Sequence, residues 1–153
     1  MHSLELRVPP LVVVVAAAAL MGLLAWAVPV NELRFKPPLA LAGALVGLGA
    51  AITVAGVLAF RRARTTVNPM TPGASSTVVS TGIYRLTRNP MYLGFLLALL
   101  GWCLMLGTLL ALAPVAGYVA YMDRFQIGPE ERALREKFGA DYDAYTRRVR
   151  RWF

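Results

Sequence analysis

Histidine is almost missing from this sequence. Of 153 residues only His2 is one, so the body of the chain has no imidazole for acid–base work or metal ligation. Cysteine is as scarce: Cys103 alone, inside an apolar run, forms no intrachain disulfide and makes no thiolate metal site. Acidic residues number 8 against 16 Lys and Arg. Charge of either sign is absent from three long runs: Leu11 to Val30, Leu39 to Phe60 and Met91 to Met122. With 58% hydrophobic residues, 16% charged ones and a mean hydropathy of +0.57, the chain is too apolar for a soluble domain of this size. A net charge of +8 would suggest nucleic acid in a soluble protein. Here the basic residues flank apolar runs, so membrane lipids, not nucleic acid, are the expected partner.

What is present reads as one all-α integral membrane domain over residues 1–153. Leu11 to Val30 is long enough to span a bilayer. A cleaved signal peptide fits less well, because its basic start is thin and no cleavage-like boundary precedes the next run. Asn31 to Pro38 is a short link carrying Glu32, Arg34 and Lys36. Leu39 to Phe60 is a second span in which Gly43, Gly47, Ala51 and Ala55 recur every four residues, a pattern that lets helices pack closely and could serve an oligomer. Met91 to Met122 holds 32 uncharged residues, too many for one ordinary span. Five Lys and Arg lie between Arg61 and Arg88, and eight between Arg124 and Arg151. The positive-inside rule puts both groups on the cytoplasmic side, which requires a tight helical hairpin turning near Gly107-Thr108, with Pro114 and Gly117 able to bend the return helix. Four spans result (about 11–30, 39–60, 90–106 and 108–127), with a cytosolic loop at 61–89 and a cytosolic helical tail at 128–153.

The chain is organised around Arg88-Asn89-Pro90-Met91-Tyr92-Leu93-Gly94. Asn89 suits a helix N-cap and Pro90 the first helical position, so a helix begins here with arginines just outside it. Beyond the hairpin, Pro129-Glu130-Glu131 opens a helix with acidic residues at its positive end, and Gly139 ends it. Asp141 is placed to cap a second piece carrying Tyr142 and Tyr145. The run Arg147 to Arg151 reads as a lipid-facing basic patch. Antiparallel helices with a short connection bring Arg88, Asn89 and Tyr92 beside the Arg124–Glu131 region.

Thr81-Gly82-Ile83-Tyr84-Arg85 followed by Arg88 to Gly94 resembles the membrane methyltransferases of the isoprenylcysteine carboxyl methyltransferase and phospholipid methyltransferase superfamily. So does the second block, Pro129-Glu130-Glu131, Leu134, Phe138-Gly139, Tyr142, Tyr145 and Val149, and Asn68-Pro69 fits as well. The likeness covers Thr65 to the C-terminus. It implies S-adenosylmethionine as methyl donor, bound at the cytosolic face of the cell membrane without a Rossmann domain, no metal, and a lipophilic acceptor entering from the bilayer. No Gly-rich nucleotide fingerprint follows a predicted strand. Asn89 stands where eukaryotic carboxyl methyltransferases have histidine.

The resemblance implies catalytic roles for Arg88, Glu131 and Arg124. Asn89, Pro90, Tyr92, Leu93, Gly94, Glu130, Tyr142 and Tyr145 are then the donor's neighbours. The arginines suit a carboxylate of donor or substrate. The glutamates suit ribose hydroxyls or an ammonium group, with Glu131 the proton acceptor for an amine nucleophile. A carboxylate or thiolate acceptor needs no base, so the missing histidine is no obstacle. The expected acceptors are an isoprenylcysteine carboxylate, a phospholipid amine, or a small thiol or acid. The rivals from other classes are a four-span transporter and a non-catalytic scaffold. A transporter normally carries an ionisable group within its spans, and the apolar runs here hold none.

Overall fold

Each apolar run becomes a helix, and its flanks decide where it ends. The computed structural model describes residues 4–28, 30, 33–66, 68 and 70–153; His2, Glu32, Asn31, Pro29 and Pro69 lie outside the described residues. Proline opens α1 (Pro10–Ala27) and α3 (Pro90–Leu106) at the first helical position. Between them lies α2 (Leu39–Arg62), closed by Arg61 and Arg62 in its last turn, where cations suit the helix dipole. Gly107, at φ 64°, ends α3 in the left-handed conformation that glycine adopts without steric cost. Thr108 then caps a short 3₁₀ turn, Leu109–Ala111, by accepting a hydrogen bond from Leu110 N. The chain returns as α4 (Leu112–Tyr121), a π-helical segment (Met122–Ile127), α5 (Gly128–Phe138) and α6 (Ala140–Arg148). Among the described residues there is no strand, only one isolated bridge between Arg34 and Thr108.

Helices α1 and α2 are long and apolar enough to cross a membrane, and α3 is a shorter apolar helix of 17 residues. Most of the apolar surface of α1 and α2 faces outward, with Leu11, Val15, Leu23, Leu41, Leu48 and Val54 among the exposed side chains. Water does not tolerate an apolar surface that broad, whereas lipid does. The core lies between α1, α3 and α4, around Met21, Leu99, Cys103, Val115, Tyr118 and Met122. Trp102 donates its indole N–H to Ala18 O at 3.1 Å, tying α3 to α1.

The closest packing in the bundle is α2 against α3. A Cβ at Gly94 would stand 2.4 Å from Gly49 O, so both positions need glycine for the backbones to meet. The face used is Ala42, Gly49 and Gly56, not the expected stripe of Gly43, Gly47, Ala51 and Ala55. Gly43 and Gly47 point to open space. The reason is helical periodicity: a seven-residue repeat drifts by only about 20° around the helix, while a four-residue repeat drifts about twice as far.

Two sets of contacts mark the two ends of the bundle. At one, Phe35 N donates to Gly107 O at 3.0 Å, and the Arg34 guanidinium donates to Ala25 O at 2.7 Å. At the other, Leu6 N donates to Phe125 O at 3.0 Å and Glu5 pairs with Arg132 at 2.7 Å. The π segment explains the bond to Phe125 O. Pro129 has no N–H to give the carbonyl four residues back, which is Phe125 O, and the N-terminal segment donates to it instead. Helix α5 therefore continues α4 through a π turn and has no free N-terminus. The expected stabilisation of Glu130 and Glu131 by an open helix dipole loses its basis. Neither Pro114 nor Gly117 marks the irregularity, which lies at Met122–Ile127. Asp141 is not the cap of α6 either; Gly139, at φ 50°, holds that position, and Asp141 sits in the first turn.

Candidate functional site

At the end of the bundle that carries Glu5 and Arg132, a cleft of about 760 Å³, partly open to solvent, lies between the end of α2, the segment before α3, and helices α5 and α6. Phe60, Tyr84, Met91 and Leu134 give it apolar and aromatic walls, and Arg88, Glu130 and Glu131 give it charge. The segment between α2 and α3 is held over it by small bonds. Ser76 N donates to Thr65 Oγ1 at 2.8 Å, and Lys137 donates to Gly73 O at 2.7 Å. The Tyr84 ring meets Phe60 edge-on at 5.3 Å.

Arg88 is fixed from several sides. One terminal nitrogen donates to Thr146 O at 3.2 Å and Val149 O at 3.0 Å, and the other donates to Glu131 Oε1 at 2.7 Å. Its Nε is buried and has no hydrogen-bond partner among the described residues. Asn89 is the residue before α3, as the sequence indicates, but its side chain makes no cap bond. It donates instead to Arg151 O at 3.0 Å. Tyr142 and Tyr145 are buried with Val149 against Val78, Leu134 and Phe138, and Tyr145 donates its hydroxyl to Tyr84 O at 2.8 Å. Burial pushes the Tyr142 phenol up to about 12 and raises that of Tyr145 as well.

The two neighbouring glutamates have opposite surroundings. Glu130 Oε1 accepts hydrogen bonds from the Tyr92 hydroxyl at 2.5 Å and from the Gln126 amide. Burial pushes its carboxyl up to about 7, against the two bonds and helped by the charge of Glu131. With Oε1 accepting twice, a proton on this carboxyl belongs on Oε2. Glu131 is also pushed up by burial, but hydrogen bonds and charge from Arg151 and Arg88 prevail and hold it below the usual carboxylate range. Its two oxygens are taken by Arg88 and by Arg151, the latter at 3.2 Å and 2.7 Å.

Of the residues expected at a site, Arg88, Asn89, Tyr92, Glu130, Glu131, Tyr142 and Tyr145 line this one cleft. The other four stand elsewhere. Pro90 packs beside Gly56, Gly94 is pressed against α2, and Leu93 is half-buried outside the lining. Arg124 is exposed, with its guanidinium 5.8 Å from the Phe125 ring. Sequence reasoning missed Asp123, Gln126 and Arg151. Gln126 sits four residues before Glu130, the spacing of a helical pair, and was hidden by placing a helix start at Pro129. Arg151 is one of four arginines of like appearance in the sequence, although Arg147, Arg148 and Arg150 are exposed and Arg151 is half-buried.

Among the described residues, a helical bundle with an apolar girdle and a charged, aromatic-walled cleft at one end fits a membrane-associated protein. The chain belongs to the phospholipid methyltransferase family, whose model matches residues 38–141. A 62-residue stretch is 47% identical to a protein of Haemophilus influenzae (strain ATCC 51907 / DSM 11121 / KW20 / Rd) described as an uncharacterized protein; the match covers 40% of this chain and 98% of that one. No solved structure matches the chain significantly.

Proposed function

We propose that the chain is an S-adenosylmethionine-dependent methyltransferase acting on a lipid acceptor, with its site in the cleft between Arg88 and Glu131. The observation that carries the reading is the meeting of both motif blocks, 43 residues apart, in a 2.7 Å ion pair at the cleft wall. The residues suit the donor. The cleft's aromatic walls suit a purine, and Glu131 suits hydroxyl or ammonium groups. The buried Arg88 Nε–H has a donor left for a ligand's acceptor atom.

The reading includes four spans. Helix α3, at 17 residues, is about 25 Å long against a hydrocarbon core of about 30 Å. The contacts at the two ends of the bundle fit helices running alternately up and down, and the cleft end carries most of the arginines, which favours the cytoplasmic side. The whole chain then forms one domain.

When bound, the donor supplies an electrophilic methyl carbon, which the acceptor's lone pair attacks as the carbon–sulfur bond breaks and its electrons stay on sulfur. The chain's residues position the partners and manage one proton. An amine acceptor fits best. Its ammonium form passes a proton to the Glu130 carboxylate, the freed lone pair takes the methyl group, the product leaves as the methylated ammonium ion, and Glu130 releases its proton to solvent. Glu130 is better matched than Glu131 to this exchange, because its carboxyl titrates near neutrality while Glu131 is locked in ion pairs. Arg88 and Arg151 already neutralise Glu131, so the preference for an amine rests on Glu130, and a carboxylate such as that of isoprenylcysteine is the second reading.

The test is incubation of the purified protein with methyl-labelled donor and native lipids, followed by identification of the product. A base-stable label on an amine lipid is expected. A base-labile methyl ester selects the second reading, and no labelled product overturns the enzyme reading.

A further inference from the structure

The family match ends at residue 141, yet much of what fixes the cleft's charged residues lies beyond it. After α6 the chain becomes extended at Val149 and runs beside the residues that open α3. Arg88 N donates to Arg150 O at 3.0 Å. Arg151 O accepts from both Thr87 Oγ1 at 3.1 Å and Asn89 Nδ2 at 3.0 Å. The same residue's guanidinium faces the other way. Its Nε donates to Glu131 Oε1 at 3.2 Å and one terminal nitrogen to Glu131 Oε2 at 2.7 Å, a two-point fork across the carboxylate. The remaining nitrogen donates to Asp123 Oδ1 at 3.2 Å, which Trp152 Nε1 also reaches at 3.2 Å.

We propose that Arg151 is a positioning residue of the methyl-transfer site: from the C-terminal tail it clamps both oxygens of Glu131 and, through its own carbonyl, the residues on either side of Arg88. This rests on the methyl-transfer reading of the cleft. Arg151 does not line the cleft, so it acts through Glu131, Asn89 and Arg88. Its side chain is 37% exposed, so solvent screens the pair and little of its value is stability. The value is geometric. A planar guanidinium fixes the rotation of a carboxylate, which a lysine ammonium does not. The fork leaves Glu131 Oε1 aligned for Arg88, and the carbonyl holds the start of α3 in register with α5. Without Arg151, Glu131 keeps one cationic partner and gains rotational freedom.

The groups that face Glu131 are Arg88 from the start of α3, Arg151 from the tail, Glu130 and Arg135 on its own helix α5, and Tyr142 from α6. The test uses the full-length protein in detergent or nanodiscs, as wild type, R151A, R151K and R148A. Arg148 is an exposed tail residue outside the site. Carbon-13 NMR of labelled glutamate, with E131Q for assignment, follows the titration of Glu131, and steady-state kinetics give kcat and the donor KM. In R151A the Glu131 midpoint rises and the donor KM increases about tenfold. R151K recovers the charge but only part of the KM, and R148A matches wild type. In an E131Q background R151A adds less than about a twofold change, the non-additivity of residues acting as one unit. A merely structural tail would lower kcat through lost folded protein and leave the donor KM and the Glu131 titration alone. If R151A does not fold, R151K decides by the donor KM alone, because its ammonium keeps a positive charge beside Glu131. An unmoved Glu131 midpoint in R151A, or a donor KM within about twofold of wild type in either variant, overturns the clamp. A wild-type protein that transfers no methyl group overturns the donor reading instead, and the Glu131 titration still decides the clamp.

Discussion

At the scale of single residues, Glu130 and Glu131 are adjacent on one helix and are shifted in opposite directions from the ordinary carboxylate value. Glu130 is raised from its ordinary 4.5 to about 7, so the folded state holds its proton more tightly than the unfolded chain does. Its contribution to stability is full below about pH 4.5 and is lost as the pH rises through about 7. Glu131 is lowered, so its contribution is present above its ordinary value and lost as the pH falls through its folded one. Thermal unfolding in detergent should therefore show E130Q gaining on wild type as the pH rises from about 5 to about 8, because the amide removes the ionisation cost. The reverse trend, or none, would show that Glu130 is not held in a desolvated site. Methyl transfer by E130Q should fall about a hundredfold, the scale of a general base, while donor binding changes little; kinetics with a calorimetric binding control check this. None of this division was readable in the Glu-Glu pair itself. It depends on Gln126 and Tyr92 reaching one carboxyl and two arginines reaching the next, and those partners come from separate parts of the chain.

At the scale of elements, the helix starts and stops were largely visible. Pro10 and Pro90 open helices, Gly107 turns the hairpin, and Gly139 breaks the tail in two. What escaped was continuity. Pro129 looked like a helix start, whereas a π segment carries the helix past it and turns Gln126 onto Glu130. Which small residues of α2 meet α3 was not legible for the same kind of reason, since it depends on the Gly94 and Gly101 of α3 as much as on the α2 sequence. Gly94→Leu tests that contact. A side chain there would collide with Gly49 O and Thr53, and forcing the helices apart should cost about 1–3 kcal/mol, with a matching drop in thermal stability and a disordered cleft. Gly43→Leu, facing open space, should leave stability within about 0.5 kcal/mol of wild type. Equal effects of the two would refute the packing face.

At the scale of the whole molecule, the hairpin returns the polar flanks of the uncharged middle run to one end. That much followed from counting charge, because two strongly basic flanks resist lying on opposite sides of a bilayer. Seven of the eleven expected site residues meet at the cleft for this reason. The tail's part could not be foreseen, because Arg151 is told apart from its neighbours only by where the extended Val149 aims the chain. The topology makes its own prediction. In a C103S background, single cysteines at the exposed positions Arg85 and Glu136 should react with an impermeant maleimide from the same side of oriented vesicles. A cysteine at the exposed position Lys36 should react from the other side. Labelling of 85 and 136 from opposite sides would break the hairpin and the cleft with it.

The most direct measurement of the central claim is a calorimetric titration of the purified full-length protein with S-adenosylhomocysteine, on wild type and on E131Q. The account predicts saturable heat for wild type and an affinity at least about tenfold lower for E131Q. Absence of heat with wild type, or the same affinity in both, would contradict it.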